Sequence, residues 1–198
     1  EQLDAVSKLW NEFGTNADTI LQAEGTIRML SEFVGAVNET MPTLLAVSDE
    51  VVSIMIESGA NASQVYVASR QLMLIPRISV NANKVLQGGQ GAASAADRFG
   101  RDAALFGRVL DAMIKGNKKM NIRRVRDPDA RDKLAEVAEL FETVHDLVGR
   151  ILDQTPTLFE AQNASNNMVI KSKELLELTT SMMDSFTDLE NQRPINAF

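Results

Sequence analysis

Apolar side chains at Leu3, Val6, Trp10, Phe13, Ala17, Ile20, Ile27, Leu30, Val34 and Val37 recur in steps of three, four and seven, the spacing of one face of an α-helix. The pattern predicts a helix over 3–39, about 55 Å long at about 1.5 Å per residue. A rod of that length needs a partner along most of its course, because helix propensity alone is marginal. Met41-Pro42 interrupts the pattern, and Pro42 suits the first turn of a second helix. That helix, 43–58, buries Leu44, Leu45, Val47, Val51, Val52, Ile54 and Met55 and stops at Gly59. A third helix spans 63–87 and ends at Gly88-Gly89. Pro76 lies inside it and predicts a bend near Ile75, at a division between two stacked modules. A fourth spans 92–115. There Phe99 and Phe106, seven residues apart and each followed by Gly-Arg, form a seam whose glycines permit close helix contact.

The segment GNKKMNIRRVRDPDA is the one long irregular stretch. Asp127-Pro128 restarts a fifth helix, 129–154, with Leu134, Val137, Phe141, Val144, Val148 and Ile151 on one face. Thr155-Pro156 opens a sixth, 156–190, expected to stack Phe159, Met168, Val169, Leu175, Leu176, Leu178, Met182, Met183, Phe186 and Leu189. Arg193-Pro194 begins a loose tail. The expected architecture is all-α: six antiparallel helices, the first and last long, in elongated, stacked four-helix-bundle-like modules. One module comprises helices one to four (1–117), a basic linker covers 116–128, and helices five and six (129–190) pack along helix one. Six helices return the chain to the end where it began. That suits an extracytoplasmic loop anchored by a membrane helix at each terminus, with the spans outside this sequence. Because helical register is already running at Leu3, the chain reads as a piece of something longer.

Composition agrees with helices. Hydrophobic residues make up 44% and aromatics only 5%, with five prolines in 198 residues. A net charge of −7 argues against nucleic acid as the main partner. There are no cysteines, which excludes disulfides, thiol catalysis and cysteine-based zinc sites. No signal peptide opens the chain, and no apolar run reaches the roughly 18 residues of a membrane span.

Catalytic readings find little support. His145 is the single histidine, flanks the apolar face of helix five, and has no second histidine to share a metal. Neither GxSxG, a Walker loop nor HExxH occurs. Gly88-Gly89-Gln90-Gly91 follows no strand and reads as a turn, while Glu136 and Glu139 fall on a solvated helix face. The expectation is a non-enzyme with no cofactor and no metal. Most of the nine methionines read as core filler. The basic segment carries more weight. Lys115, Lys118, Lys119, Arg123, Arg124 and Arg126 place six positive charges within twelve residues and no acid among them. It reads either as a solvated loop relieving a helix dipole or as a contact made by Lys118, Lys119, Arg123, Arg124 and Arg126. Such a contact would meet an anionic lipid headgroup or an acidic protein partner. A six-helix up-down order puts this joint at the membrane-proximal end.

Gly25-Thr26-Ile27-Arg28-Met29-Leu30-Ser31-Glu32-Phe33-Val34 aligns, at an offset of 44, with Ser69-Arg70-Gln71-Leu72-Met73-Leu74-Ile75-Pro76-Arg77-Ile78. Both resemble the G-x-x-R-M-L-S-Q-R-[IV] element of the PilJ-type sensor domain, a family that includes nitrate/nitrite-sensing histidine kinases and a chemoreceptor of the type IV pilus. The first copy keeps Gly25, Arg28, Met29, Leu30 and Ser31, and Phe33 replaces its later arginine. The second keeps Met73, Leu74, Arg77 and Ile78 but has Leu72, Ile75 and Pro76 in place of polar residues. QVYVASRQLML, AADRFGRDAALFGRVLDAM and LAEVAELF resemble the chemoreceptor branch, so the likeness covers most of the chain. It implies a periplasmic domain of a bacterial inner-membrane receptor, homodimeric in the full receptor. The implied signal is pilus state, read by contact with the pilin subunit. It would pass to a cytoplasmic adaptor and a chemotaxis-type histidine kinase that governs twitching motility and cyclic AMP. Alternatives are a small-anion sensor of the nitrate/nitrite kind and a structural, filament-type helical protein.

The resemblance also makes Arg28, Ser31 and Arg77 candidate ligand residues, since the arginine matching Arg28 binds the anion in the nitrate sensors. By angle, Arg28 points away from the Ile27/Val34 stripe, and Glu24 and Glu32 lie one turn to either side. Three readings stay open for it: an ion pair, an anion contact, or a contact to a protein partner.

Overall fold

A computed structural model describes the backbone of residues 2–191 and the side chains of residues 3–188. The side chain of Leu189 and the tail from Arg193 lie outside the described residues. Among the described residues the fold is all-α, with five helices: α1 (Gln2–Glu57), α2 (Ala62–Leu72), α3 (Leu74–Gln87), α4 (Ala92–Lys115) and α5 (Pro128–Asn191). The six expected helices are therefore redistributed. The first two are one helix running through Pro42, and the last two are one helix running through Pro156.

Proline costs an interior helix one hydrogen bond and crowds the carbonyl four residues back. Here the buried stripe continues across both prolines. On α1 it reads Leu30, Val34, Val37, Met41, Leu44, Val47, Val51 and Met55, each no more than 5% exposed. On α5 it reads Val144, Val148, Ile151, Thr155, Leu158 and Ala161. Burial on both sides of the proline, at roughly 1.5–3 kcal/mol for each large apolar side chain, outweighs one missing backbone bond. Beside Pro156, the buried Thr155 hydroxyl donates to the Ile151 carbonyl at 2.7 Å, adding a local tie.

The third expected helix, read as bending near Ile75, is instead interrupted at Met73. Pro76 withholds the amide that would reach the Leu72 carbonyl, and Met73 keeps helical angles of −72° and −21° between α2 and α3.

The chain forms two compact units. The larger is 26–158 and the smaller comprises 1–25 and 159–198, so α2 and α3 both lie within the larger and the Met73 break marks no boundary. The larger unit is a bundle of four rods, the second being α2 and α3 together. Asn38 on α1 meets Asn83 (3.1 Å) and Ser79 on α3, and Gln71 on α2 donates to the Phe106 carbonyl on α4 at 2.7 Å. Phe106 of α4 packs on Phe141 of α5 with centroids 4.6 Å apart. Lys133 of α5 meets Glu50 of α1 at 2.8 Å, and the Arg150 guanidinium lies 5.8 Å from the Phe33 ring centroid. Phe33 to Glu50 and Lys133 to Arg150 are both seventeen residues, so α1 and α5 run antiparallel in equal step. Hydrogen bonds to Glu50 and then Glu136 hold the Lys133 ammonium above its ordinary pKa. That contribution is present through neutral pH and is lost only as pH rises through the raised value.

The FGR seam behaves as its spacing implies. Phe99 and Phe106 are fully buried. A Cβ on Gly107 would lie 2.9 Å from Phe141 Cε1, and one on Gly100 would lie 3.0 Å from Leu152 Cδ1. The methionines divide: Met55 and Met113 are core, while Met29, Met73 and Met183 are exposed, so the reading of most as core filler holds only in part.

The smaller unit contains two helix ends, not four rods. A seam at Val6, Leu9, Phe13, Asn16 and Ile20 is half-buried, as is one at Met168, Lys171, Leu175, Leu178 and Met182. Lys171 binds Glu174 at 3.0 Å and Glu12 at 3.3 Å. Beside that seam, Val169, Leu176 and Met183 recur every seven residues at 71%, 67% and 66% exposure.

The glycine contacts give a direct test by circular-dichroism melting. Gly107→Val should cost about 1–3 kcal/mol through overpacking against Phe141. Gly149→Ala, in open space on α5, should gain about 0.5–1 kcal/mol.

Candidate functional site

In the larger unit the chain enters along α1 at residue 26 and leaves along α5 at residue 158. Thirty-one residues of α1, about 45 Å, separate Thr26 from Glu57 at the far end. The loops at 58–61 and 116–127 share that far end. This reverses the topology expected from six helices. With α1 and α5 unbroken, the basic joint lies opposite the end by which the chain enters and leaves the unit.

The basic segment has an ordered backbone turn and keeps its cations exposed to solvent. Gly116, at φ 85°, turns the chain out of α4, a left-handed conformation open to glycine. Asn117 and Ile122 exchange backbone bonds of 2.8 and 3.0 Å, and the Asn121 amide closes a tight turn on the Lys118 carbonyl at 3.2 Å. The Asn117 side chain accepts from the Met120 amide at 3.1 Å. Beyond the turn, Ile122 and Val125 are buried, and the Val125 amide binds the Met113 carbonyl at 2.8 Å. Gln64, one turn into α2, donates its amide to the Arg123 carbonyl at 3.0 Å. Asp127 then caps α5, its Oδ1 accepting from the Ala130 amide at 2.9 Å.

Between this hairpin and the 58–64 corner lies an open cleft of about 760 Å³. Its floor contains the buried Met55, Ile122 and Val125. Lys118, Arg123, Arg124 and Arg126 line it, all exposed, and Lys119 projects from the same turn. Among the described residues none of these five forms an ion pair, whereas Lys115 pairs with Asp111. The one acid lining the cleft, Asp127, is engaged as a helix cap. The arrangement is a cationic rim over an apolar floor. Met55 and Gln64 contribute to it without any sequence signal, because only the meeting of two distant loops brings them there.

Arg28 and Ser31 are neighbours at i,i+3 on α1, but Arg77 lies on α3, apart from them. Arg77 binds Asp102 at 2.8 Å, and Asp102 is a buried side chain on α4 whose Oδ2 has no hydrogen-bond partner. Arg28 and Ser31 are exposed on α1. Asn38, which faces Ser79 two residues from Arg77, lies ten residues or about 15 Å along α1 from Arg28. One small anion therefore cannot touch Arg28 and Arg77 of the same chain. Arg28 forms no ion pair with Glu24 or Glu32 within the chain. The spacing allows it, but on an exposed helix face such a pair gains only a few tenths of a kcal/mol. His145 is exposed, its ring 5.9 Å from Phe141. No group of metal-ligating side chains occurs among the described residues.

Against known proteins, the chain is 44% identical over 197 residues to the protein PilJ of Pseudomonas aeruginosa, a match covering 100% of this chain. The chain is PilJ-like. It is also 43% identical over 187 residues to a putative methyl-accepting chemotaxis protein, AlkN, of Alcanivorax borkumensis, across 94% of this chain. It spans 29% and 28% of those two relatives' lengths. No protein-family model matches the chain. No helix among the described residues is long and apolar enough to cross a membrane. For this PilJ-like chain, the full-length match places every element from α1 to α5 within the likeness.

The roles of the two arginines separate by stability. Arg77→Ala should cost about 1–3 kcal/mol, because it strands the buried Asp102 carboxylate. Asp102→Asn in the same chain should recover part of that loss. Arg28→Ala should stay within about 0.5 kcal/mol of the parent. Urea denaturation of the four chains reads all three outcomes.

Proposed function

We propose that this chain is the sensor domain of a chemoreceptor-type transducer. It would sit in the periplasm of a bacterial inner-membrane receptor and read type IV pilus state by contact with pilin. The signal would pass through the flanking spans to a cytoplasmic adaptor and chemotaxis-type histidine kinase, with twitching motility and cyclic AMP as outputs. The observation that carries this reading is the 44% identity to PilJ over the whole chain. Both α1 and α5 belong to both compact units, so a shift of either helix has a continuous backbone through which to act.

In the full receptor the domain would work as a homodimer. Val169, Leu176 and Met183 form a second heptad stripe on α5, and Trp10 is 63% exposed on α1. A stripe of that period packs on another helix pair, and a second copy supplies one of the same pattern. A small-anion reading retains one favourable observation, the exposed and unpaired Arg28. It requires nitrate or nitrite to raise the melting temperature, and Arg28→Ala to abolish the rise.

Crosslinking full-length receptor to pilin in cells tests the main reading. A receptor–pilin adduct mapping to this domain is expected. Its absence with a fully expressed receptor, together with a nitrate-dependent melting shift, would overturn it in favour of anion sensing. The dimer is tested by sedimentation equilibrium of the receptor's full periplasmic region. Leu176→Glu with Met183→Glu should weaken self-association at least tenfold. Open-ended, concentration-driven assembly would instead support a filament-type protein.

A further inference from the structure

We propose that the cleft between the 116–127 hairpin and the 58–64 corner is a docking site for an acidic polypeptide segment with an apolar residue between its carboxylates. The proposal rests on the partner-sensing reading above and assigns that contact to one surface. Three properties of the cleft select this ligand class. First, four of its lining cations are unpaired among the described residues and rise from a pinned backbone. Lys118, Arg123, Arg124 and Arg126 line it without ion pairs among the described residues, on a backbone pinned at Asn117–Ile122, Val125–Met113 and Gln64–Arg123. Guanidinium groups bind carboxylates with charge-assisted hydrogen bonds, and a pinned backbone has less entropy to lose on binding than a mobile loop. Second, the floor formed with Met55, Ile122 and Val125 is apolar, so an aliphatic side chain gains by entering. Third, the volume of about 760 Å³ is that of a site for a large ligand and far exceeds a small oxyanion.

Other anions fit less well. No aromatic side chain lines the cleft, so a nucleobase would find no stacking surface. A lipid headgroup would have to approach the end opposite the helix ends by which the chain enters and leaves this unit. Asp127, which caps α5 by accepting from the Ala130 amide, offsets one charge and leaves the lining net positive.

The test is an NMR titration of the isotopically labelled chain at physiological salt with a capped peptide of alternating glutamate and leucine. The lysine-for-glutamate peptide and vesicles containing 30% anionic lipid serve as comparisons. Saturable shifts confined to residues 55–64 and 113–127 are expected with the acidic peptide. Combined Arg123→Glu, Arg124→Glu and Arg126→Glu should weaken binding at least tenfold with an unchanged helical spectrum. Gln64→Ala, which releases the hairpin without altering charge, should weaken it severalfold; unchanged affinity there would mean nonspecific charge attraction and would overturn a built site. The proposal is also overturned by the absence of saturable shifts, by equal binding of the basic peptide, or by binding of vesicles alone. Failure of this site and of the pilin reading can be told apart. Pilin crosslinking that survives the triple charge reversal removes the cleft alone. Peptide capture by the cleft without any pilin adduct removes pilin alone.

Discussion

The antiparallel register of α1 against α5 is the constraint on which the rest of the larger unit depends. Glu50 against Lys133 and Phe33 against Arg150 advance by the same seventeen residues on each helix. Such equal advance is possible only if α1 is helical throughout that span, through Pro42. The unbroken buried stripe from Leu30 to Met55 supplies the energy that keeps it so. Once α1 is a single rod, the 58–61 corner and the 116–127 hairpin must share one end of the bundle, and the cationic cleft follows from their meeting.

Close packing on the opposite wall is set by a different device. Gly100 and Gly107 let α4 approach α5 until only hydrogen fits between Gly107 and the Phe141 ring, and Phe99 and Phe106 fill the interior beside them. Several polar groups in this bundle are tied to specific partners: Gln71 to the Phe106 carbonyl, Asn38 to Ser79 and Asn83, and one oxygen of Asp102 to Arg77. Such pairs fix which rods are neighbours. They also explain why Arg77, attractive as an anion ligand by position in a repeat, is occupied as a structural cation.

Much of the fold was legible in the sequence. Heptad spacing identified the helical faces, Phe99/Phe106 with their glycines identified the tight seam, and Asp127-Pro128 identified the start of α5. The helix count departs from the sequence pattern at two places, Met41-Pro42 and Thr155-Pro156, which read locally as stop signals. Yet Val37, Met41 and Leu44 keep the three-four step across the first proline, and Ile151, Thr155 and Leu158 keep it across the second. Tertiary burial decided both cases. The basic cluster was equally plain in the sequence, but its placement depended on helix count, and a wrong count moved it to the wrong end. Met55, Gln64 and the carboxylate of Asp102 gave no local signal, since each acquires its role from a residue more than twenty positions away.

The chain contains no native cysteine, so two spin labels can be placed without ambiguity. Ser31→Cys and Ser53→Cys lie on the exposed side of α1, on either side of Pro42. A pulsed electron-electron distance between labels at these sites measures the continuity from which the topology and the cleft both follow. An unbroken helix gives a single narrow distribution with a backbone separation of about 33 Å over twenty-two residues. A distribution centred below about 20 Å, as a hairpin folded back at Met41-Pro42 would produce, contradicts a continuous α1 and with it the position of the cleft.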